Sequence, residues 1–312
     1  MEAALVPSAP GTLQASASRR LVEAFLSGRN ERTLQAYGQD LEDFRRFTGA
    51  ASLDEAARVL LGRGHGEGNA LALSYRADLM AREPKLAPAT INRRLAALRS
   101  LVKLSRVLGL VPWSLEVSGL ESAAYRDTRG PGRAGVRRLL EELEERVDVK
   151  AKRDRAALHL LYDLALRRAE VVGLDVADVD LEGDRLAVLG KKRTEKEWLT
   201  LPPGTKAALV DWLQARGTKP GAFFLNFDHA GKGGRLTGTS LYRIIRDLGL
   251  AAGVKARPHG LRHAAITEAL DLMRGNLRAV ARFSRHRDER VLRVYDDNRE
   301  DLGGEVARLV AL

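Results

Sequence analysis

Residues 257–266 read RPHGLRHAAI. Pro258 predicts the first position of a helix, where its missing N–H costs nothing and its fixed φ already suits the turn. His259 and Arg262 stand three apart, so both project from one face of the opening turn. Free backbone N–H groups and the positive end of the helix dipole add to that face. Such a face suits an anion, a phosphate above all. The plain alternative is a solvated helix start, and the stretch alone leaves both open. His263 points elsewhere and is read as packing support.

Outward from this stretch, the C-terminal half reads as helices interrupted once. Helices are expected near 136–147, 154–166, 205–215, 239–251, 259–272, 277–283 and 288–296. Between residues 176 and 201 the hydrophobic period changes. RLAVL (185–189) and EWLTL (197–201) are strand-like, joined by GKKRTEK and preceded by the turn EGD (182–184). Toward the N-terminus, residues 19–48 give two amphipathic helices, with Leu34, Tyr37, Leu41, Phe44 and Phe47 as an apolar stripe. Asn30 is the expected cap of the second. A Gly-rich interruption is expected at 62–70, followed by helices over 71–82 and 90–108. In the latter, Ile91, Leu95, Leu98, Val102 and Leu104 form the apolar face, and Arg93, Arg94, Arg99, Lys103 and Arg106 decorate the rest. The mixture of Gly, Pro, Ser and Arg in SGLESAAYRDTRGPGRAG (118–135) marks a join.

The expected fold is therefore mainly α, in two domains. A disordered tail (1–18) leads into a basic four-helix domain (19–115). A linker (116–135) then joins it to a mixed α+β domain (136–312) with a small antiparallel sheet. A length of 312 residues suits two such domains, and 45% hydrophobic residues suffice for sizeable cores. Lysine and arginine total 52 against 41 acidic residues, a net charge of +11 that favours a polyanionic partner, nucleic acid before an anionic membrane surface. The absence of cysteine excludes disulfides, thiolate zinc sites and cysteine nucleophiles. No histidine pair of a zinc helix, no phosphate-binding Gly-rich lysine loop and no Gly-x-Ser-x-Gly elbow is present. No apolar run reaches membrane-spanning length, and the opening MEAALVPSAPGTLQASAS lacks the basic and apolar regions of a signal peptide. The expected location is cytoplasmic.

Beyond the 257–266 stretch, three more places carry candidate chemistry. Arg167 lies where a helix is expected to end, with Glu170 one turn on, and a surface ion pair is the plain reading. Lys191, with Lys192 beside it, lies in the turn between the two strands, and a polar loop residue is the plain reading. Tyr295 follows His286 by nine residues in an arginine-rich helical segment, where amphipathic packing is the plain reading. Singly these signals are weak; their order is specific.

In that order, Arg167, Lys191, His259-Gly-Leu-Arg262, His286 and Tyr295 resemble the tyrosine recombinase (phage integrase) family. Its pattern runs Arg, hairpin Lys, His-x-x-Arg, His or Trp, then a nucleophilic Tyr. LRRAEVVGL is similar to the family's Leu-Arg-x-x-Glu-x-x-x-Leu, and HGLRHAAIT to its His-x-Leu-Arg-His-x-x-x-Thr. NERTLQAYGQDLEDF and PATINRRLAALRSL are similar to its helical, SAM-like core-binding domain, so the resemblance runs from about residue 19 onward. One departure concerns the site: Ser284-Arg285 precedes His286 where the family has Leu-Gly. Arg285 is expected there to crowd the site or alter DNA contacts.

The resemblance implies a site-specific recombinase that cuts and rejoins DNA strands through a 3′-phosphotyrosine on Tyr295, needing no metal, cofactor or ATP. Arg167 and Arg262 would stabilise the phosphoryl group, His259 would take the phenolic proton, Lys191 would protonate the leaving oxygen, and His286 would hydrogen-bond the phosphate. The implied partner is double-stranded DNA, held by a homo-tetramer or by a hetero-tetramer with a sister recombinase, and no membrane. The segment 299–312 is a candidate for docking between protomers through Val306, Leu309 and Val310. With no room for an arm-binding domain before residue 19, the resemblance leans toward an Xer-type or mobile-element recombinase. The alternatives are a type IB topoisomerase-like enzyme and a catalytically idle DNA-binding protein on the same fold.

Overall fold

Apolar residues three and four apart along Glu31–Thr48 form helix α1 and bury Leu41 and Phe44. The computed structural model describes residues 21–22, 25, 31–121, 130–190, 193–228, 231–286, 288–295 and 302–311. The chain divides into two compact units, Met1–Ala123 and Ala124–Leu312. In the first, α1 is followed by α2 (Leu53–Leu61), α3 (Gly64–Ala81) and α4 (Pro88–Val107). The expected cap Asn30 lies outside the described residues.

Helix α2 is absent from the reading of the sequence, yet its signal is local. The Ser52 hydroxyl accepts from the Glu55 N–H at 3.1 Å, and the Glu55 carboxylate reaches back to the Ala51 N–H at 2.6 Å. This is the reciprocal satisfaction of free N–H groups that starts a helix. The expected Gly-rich interruption at 62–70 is a turn only at Gly62 and Arg63, and the rest of it is the first part of α3. Gly68 is buried in that helix, and a Cβ there would come within 2.6 Å of the Trp113 indole. Here glycine permits close approach and does not break the helix. Two of the arginines expected to decorate α4 also pair with buried carboxylates. Arg93 donates to the buried Asp40 at 2.8 Å, and Arg94 pairs with the buried Asp43 at 3.1 Å. Asp43 also accepts from the Tyr75 hydroxyl at 2.7 Å and from Arg82 at 2.9 Å.

The stretch read as a linker is packed at both ends. Asn92 Oδ1 accepts from the Leu120 N–H at 2.7 Å, and Arg99 donates to the Val117 carbonyl at 2.7 Å, so residues up to 120 lie against the first unit's helices. At the other end, α5 (Gly132–Glu144) begins within the expected linker.

The second unit continues with α6 (Val149–Tyr162) and α7 (Arg168–Gly173). Strands β1 (Val179–Asp180), β2 (Arg185–Leu189) and β3 (Lys196–Thr200) form an antiparallel sheet in the order β1-β2-β3, with Leu186 opposite Leu199. The two-residue β1 was too short to show a period. Helices α8 (Pro203–Arg216), α9 (Gly238–Ala251), α10 (Pro258–Leu272) and α11 (Leu277–Ser284) follow. The segment expected as a helix over 288–296 is a 3₁₀ helix, Glu289–Val294, and α12 (Leu302–Val310) ends the described chain. The main core gathers around Trp212, Phe223 and Phe224, all fully buried. A smaller cluster of Ala165, Ile266, Leu270, Val280, Leu292 and Tyr295 packs α10, α11 and the 3₁₀ helix against the turn after α6. The candidate site sits on that smaller cluster.

Candidate active site

The turn between α6 and α7 makes the floor of the site. Ala165 adopts φ +46, which few non-glycine residues tolerate, and Leu164, Ala165 and Leu166 are buried. Arg167 does not end a helix, as its sequence context predicts; it caps the start of α7 in extended conformation. Its backbone N–H donates to Glu170 Oε2 at 2.8 Å and its guanidinium to Glu170 Oε1 at 2.8 Å. Glu170 is no surface partner, because its side chain is only 3% exposed. Burial alone would raise its pKa. The charge of Arg285 and the hydrogen bonds from Arg167 outweigh that, and hold the carboxyl below its ordinary range.

Pro258 starts α10 after an extended Arg257, as its position predicts. Arg262, one turn in, is buried with 2% exposure. Its guanidinium donates to the Ala165 carbonyl and, at 2.5 Å, to the Ser284 carbonyl. These carbonyls fix the plane of the fork. Burial and the charges of Arg167 and Arg285 push its pKa down to about 10, so it stays cationic at neutral pH.

Arg262 also lies 3.5 Å from His286 Nε2. On the other side of the ring, His286 Nδ1 is 2.8 Å from Ser284 Oγ, whose own proton goes to the Val280 carbonyl at 2.7 Å. That network assigns the proton to Nδ1 and leaves the Nε2 lone pair toward Arg262. Burial, with the charges of Arg262, Arg167 and Arg285, lowers the His286 pKa to about 4. The imidazole is neutral at physiological pH.

Tyr295 follows the 3₁₀ helix and is 7% exposed. Its ring centroid lies 4.5 Å from that of His263 and 5.9 Å from that of His286. Burial raises its pKa, while the charges of Arg262 and Arg167 oppose the rise. His263, expected as packing support, lies directly against the tyrosine ring. His259 is exposed on the first turn of α10. The protein packed about its base, then the charges of Arg262 and Arg167, lower its pKa, so it too favours the neutral form. Arg167, Arg262, His286 and Tyr295 are thus brought together, with His259 in the same electrostatic field. Lys191 and its neighbour Lys192 lie outside the described residues.

Two supporting residues were not legible as such. Glu170 looked like half of a surface pair, and Arg285 like an intruder; both are buried beneath the arginines. Beside His286 opens a cleft of about 470 Å³, with Arg193, Arg278 and Arg282 among its walls. Among the described residues, no helix is long and apolar enough to cross a membrane.

The scaffold beneath this site, mainly helical with one small antiparallel sheet, is the fold of tyrosine recombinases. The chain belongs to the phage integrase family, whose model matches residues 133–301. It is 35% identical over 308 residues to a tyrosine recombinase of Synechocystis sp., covering 97% of both chains. It is 29% identical over 281 residues to tyrosine recombinase XerC of Pseudomonas entomophila, covering 85% of this chain and 91% of that one. Among solved structures, the XerH site-specific recombinase bound to a palindromic difH substrate in a post-cleavage complex aligns with TM-score 0.69 at 19% identity, over 93% of this chain and 85% of the other. A lambda integrase dimer (residues 75–356) bound to a COC′ core site aligns with TM-score 0.66 at 15% identity, over 93% and 96%. The likeness to these two is one of fold.

Proposed function

We propose that this chain carries out site-specific DNA recombination, the work of its family, by cutting and rejoining strands through a 3′-phosphotyrosine on Tyr295. One observation carries the reading: the Tyr295 phenol, buried against His263, lies in the field of the Arg262 and Arg167 guanidiniums. A phenol is a poor nucleophile at its ordinary pKa of about 10. Burial makes it poorer still, and the two cations work the other way. Their larger effect falls on the phosphoryl group, whose charge in the transition state two planar forks stabilise at fixed positions.

In the first step the phenolic oxygen forms a bond to the scissile phosphorus while the P–O5′ bond breaks. The phenolic proton passes to neutral His259, and Lys191 gives a proton to the departing 5′-oxygen. An incoming 5′-hydroxyl then attacks the adduct and gives its proton to the now neutral Lys191, while the P–O(Tyr) bond breaks and protonated His259 returns its proton to the phenolate. The phosphoester energy is kept in the adduct, so the step pair needs no cofactor. Neutral His286 changes character when phosphate arrives. The anion favours its protonated form, and Nε2 then donates to a nonbridging oxygen.

On this reading residues 136–312 are the catalytic domain and 19–115 the core-binding domain, each binding double-stranded DNA in the cytoplasm. The arginine-lined cleft beside His286 suits the adjoining backbone phosphates, which position the duplex. A homo-tetramer, or a hetero-tetramer with a sister recombinase, would join two duplexes. Leu309 and Val310 on α12, 84% and 70% exposed, are apolar surface suited to docking between protomers.

The test is to incubate the protein with sheared DNA of its own genome, denature it, and sequence the protein-linked ends. The reading expects defined ends joined through 3′-phosphate, absent with Tyr295→Phe. No covalent DNA, or relaxed plasmid with no joined product, overturns it.

A further inference from the structure

Arg285 is the residue whose presence the family pattern does not explain. It ends α11 at φ +57, ψ +37, in the left-handed region that favours glycine. A long cationic side chain is therefore held at a strained position and then buried, with 3% of it exposed. Its contacts are not those of an intruder. One terminal nitrogen donates to the Leu164 carbonyl at 3.0 Å and to the Phe283 carbonyl at 3.3 Å. The other donates to the Ala165 carbonyl at 3.2 Å and to Glu170 Oε2 at 3.0 Å. Its Nε faces Glu197 of β3 at 3.5 Å.

Two of these acceptors are the ones that anchor the arginine pair. Glu170 Oε2 also accepts from the backbone of Arg167, while Oε1 holds the Arg167 guanidinium. The Ala165 carbonyl also accepts from Arg262. Arg285 thus grips, from below, both groups that set where the two forks point.

We propose that Arg285 is a positioning residue for strand cleavage: by cross-linking Glu170 and the Ala165 carbonyl, it fixes Arg167 and Arg262 relative to each other. The inference rests on the phosphotyrosine reading above. Arg285 borders the cleft beside His286, but with 3% of its side chain exposed and both terminal nitrogens bonded to the floor it acts through Arg167 and Arg262 and not on the phosphate. Its effect belongs to the rate of the chemical step and not to DNA affinity, since misplacing reacting partners by about 1 Å costs on the order of 100-fold.

The test uses a nicked suicide duplex built from the genomic sequence that the wild-type protein captures. Single-turnover adduct formation and DNA Kd are measured for Arg285→Gly, Glu170→Gln and the double variant, at a temperature where each is folded by circular dichroism. Glycine relieves the backbone and removes the guanidinium. We expect Arg285→Gly to form adduct about 10- to 100-fold more slowly, with Kd within about threefold of wild type. In the Glu170→Gln background the same change should cost far less, because both act through one carboxylate. Wild-type rate in Arg285→Gly, a parallel loss of DNA binding, or costs that multiply in the double variant would each overturn the proposal. If Arg285→Gly does not fold, Arg285→Lys decides: it keeps the charge but not the fork, so slowed cleavage supports the proposal and wild-type cleavage overturns it. Failure of the underlying reading is distinct, because then wild type itself forms no adduct.

Discussion

Replacing Glu170 with alanine tests the electrostatic floor of the site. This carboxylate lies 2.8 Å from the Arg167 guanidinium and 3.0 Å from that of Arg285, and its side chain is 3% exposed. At an effective dielectric of about 20, each such pair attracts by roughly 4 kcal/mol before desolvation is counted. Removing one partner of a buried pair leaves the other charge uncompensated, at a net cost of about 3–5 kcal/mol. In Glu170→Ala the Arg167 guanidinium loses its counter-charge, Arg285 keeps only the more distant Glu197, and the buried Arg262 gains no relief. The loss should therefore reach that range, a fall in Tm of roughly 6–20 °C for a unit of this size. Thermal unfolding by circular dichroism reads it directly. A loss below about 1 kcal/mol, the value of an exposed ion pair, would refute the reasoning and return Glu170 to the surface pair it resembled in the sequence.

Two further outcomes follow from the same geometry. His286 has its pKa lowered from 6.5 to about 4, so the unfolded chain takes up the proton first; the resulting stability is full above pH 6.5 and is lost as pH falls toward 4. NMR titration of the imidazole should place its midpoint well below 6.5, with a midpoint at or above 6.5 contradicting the burial argument. Gly130 meets the start of α10 so closely that a Cβ would lie 1.8 Å from the Gly260 carbonyl oxygen. Gly130→Ala should cost about 1–3 kcal/mol by overpacking and slow adduct formation by moving His259 and Arg262; unchanged melting and cleavage would show the contact to be slack.

The fold was legible wherever a period was long enough to count. Helices α1 and α4 announce themselves by apolar steps of three and four, α10 by the turn that follows Pro258, and β2 and β3 by composition and a hairpin turn. Helix α2 was written in Ser52 and Glu55, a local capping signal that periodicity passes over. Gly68 was read as a breaker because a sequence does not show the indole waiting beside it. The site residues were legible through their order along the chain, which does not require knowing where they meet. Their support was not. Glu170 and Arg285 acquire their roles from a buried turn with a positive φ at Ala165, and from the crossing of α10 with α11, which also sets His263, legible as packing support, against Tyr295. Those are tertiary facts, and a surface ion pair and an oversized residue read the same way in one dimension.

The most direct measurement is mass spectrometry of the protein after covalent capture of DNA, locating the modified residue and the polarity of the attached strand. The account predicts one nucleotide-bearing peptide, containing Tyr295, with the DNA joined through its 3′-phosphate. An adduct on another residue, attachment through a 5′-phosphate, or capture that persists in Tyr295→Phe would contradict it.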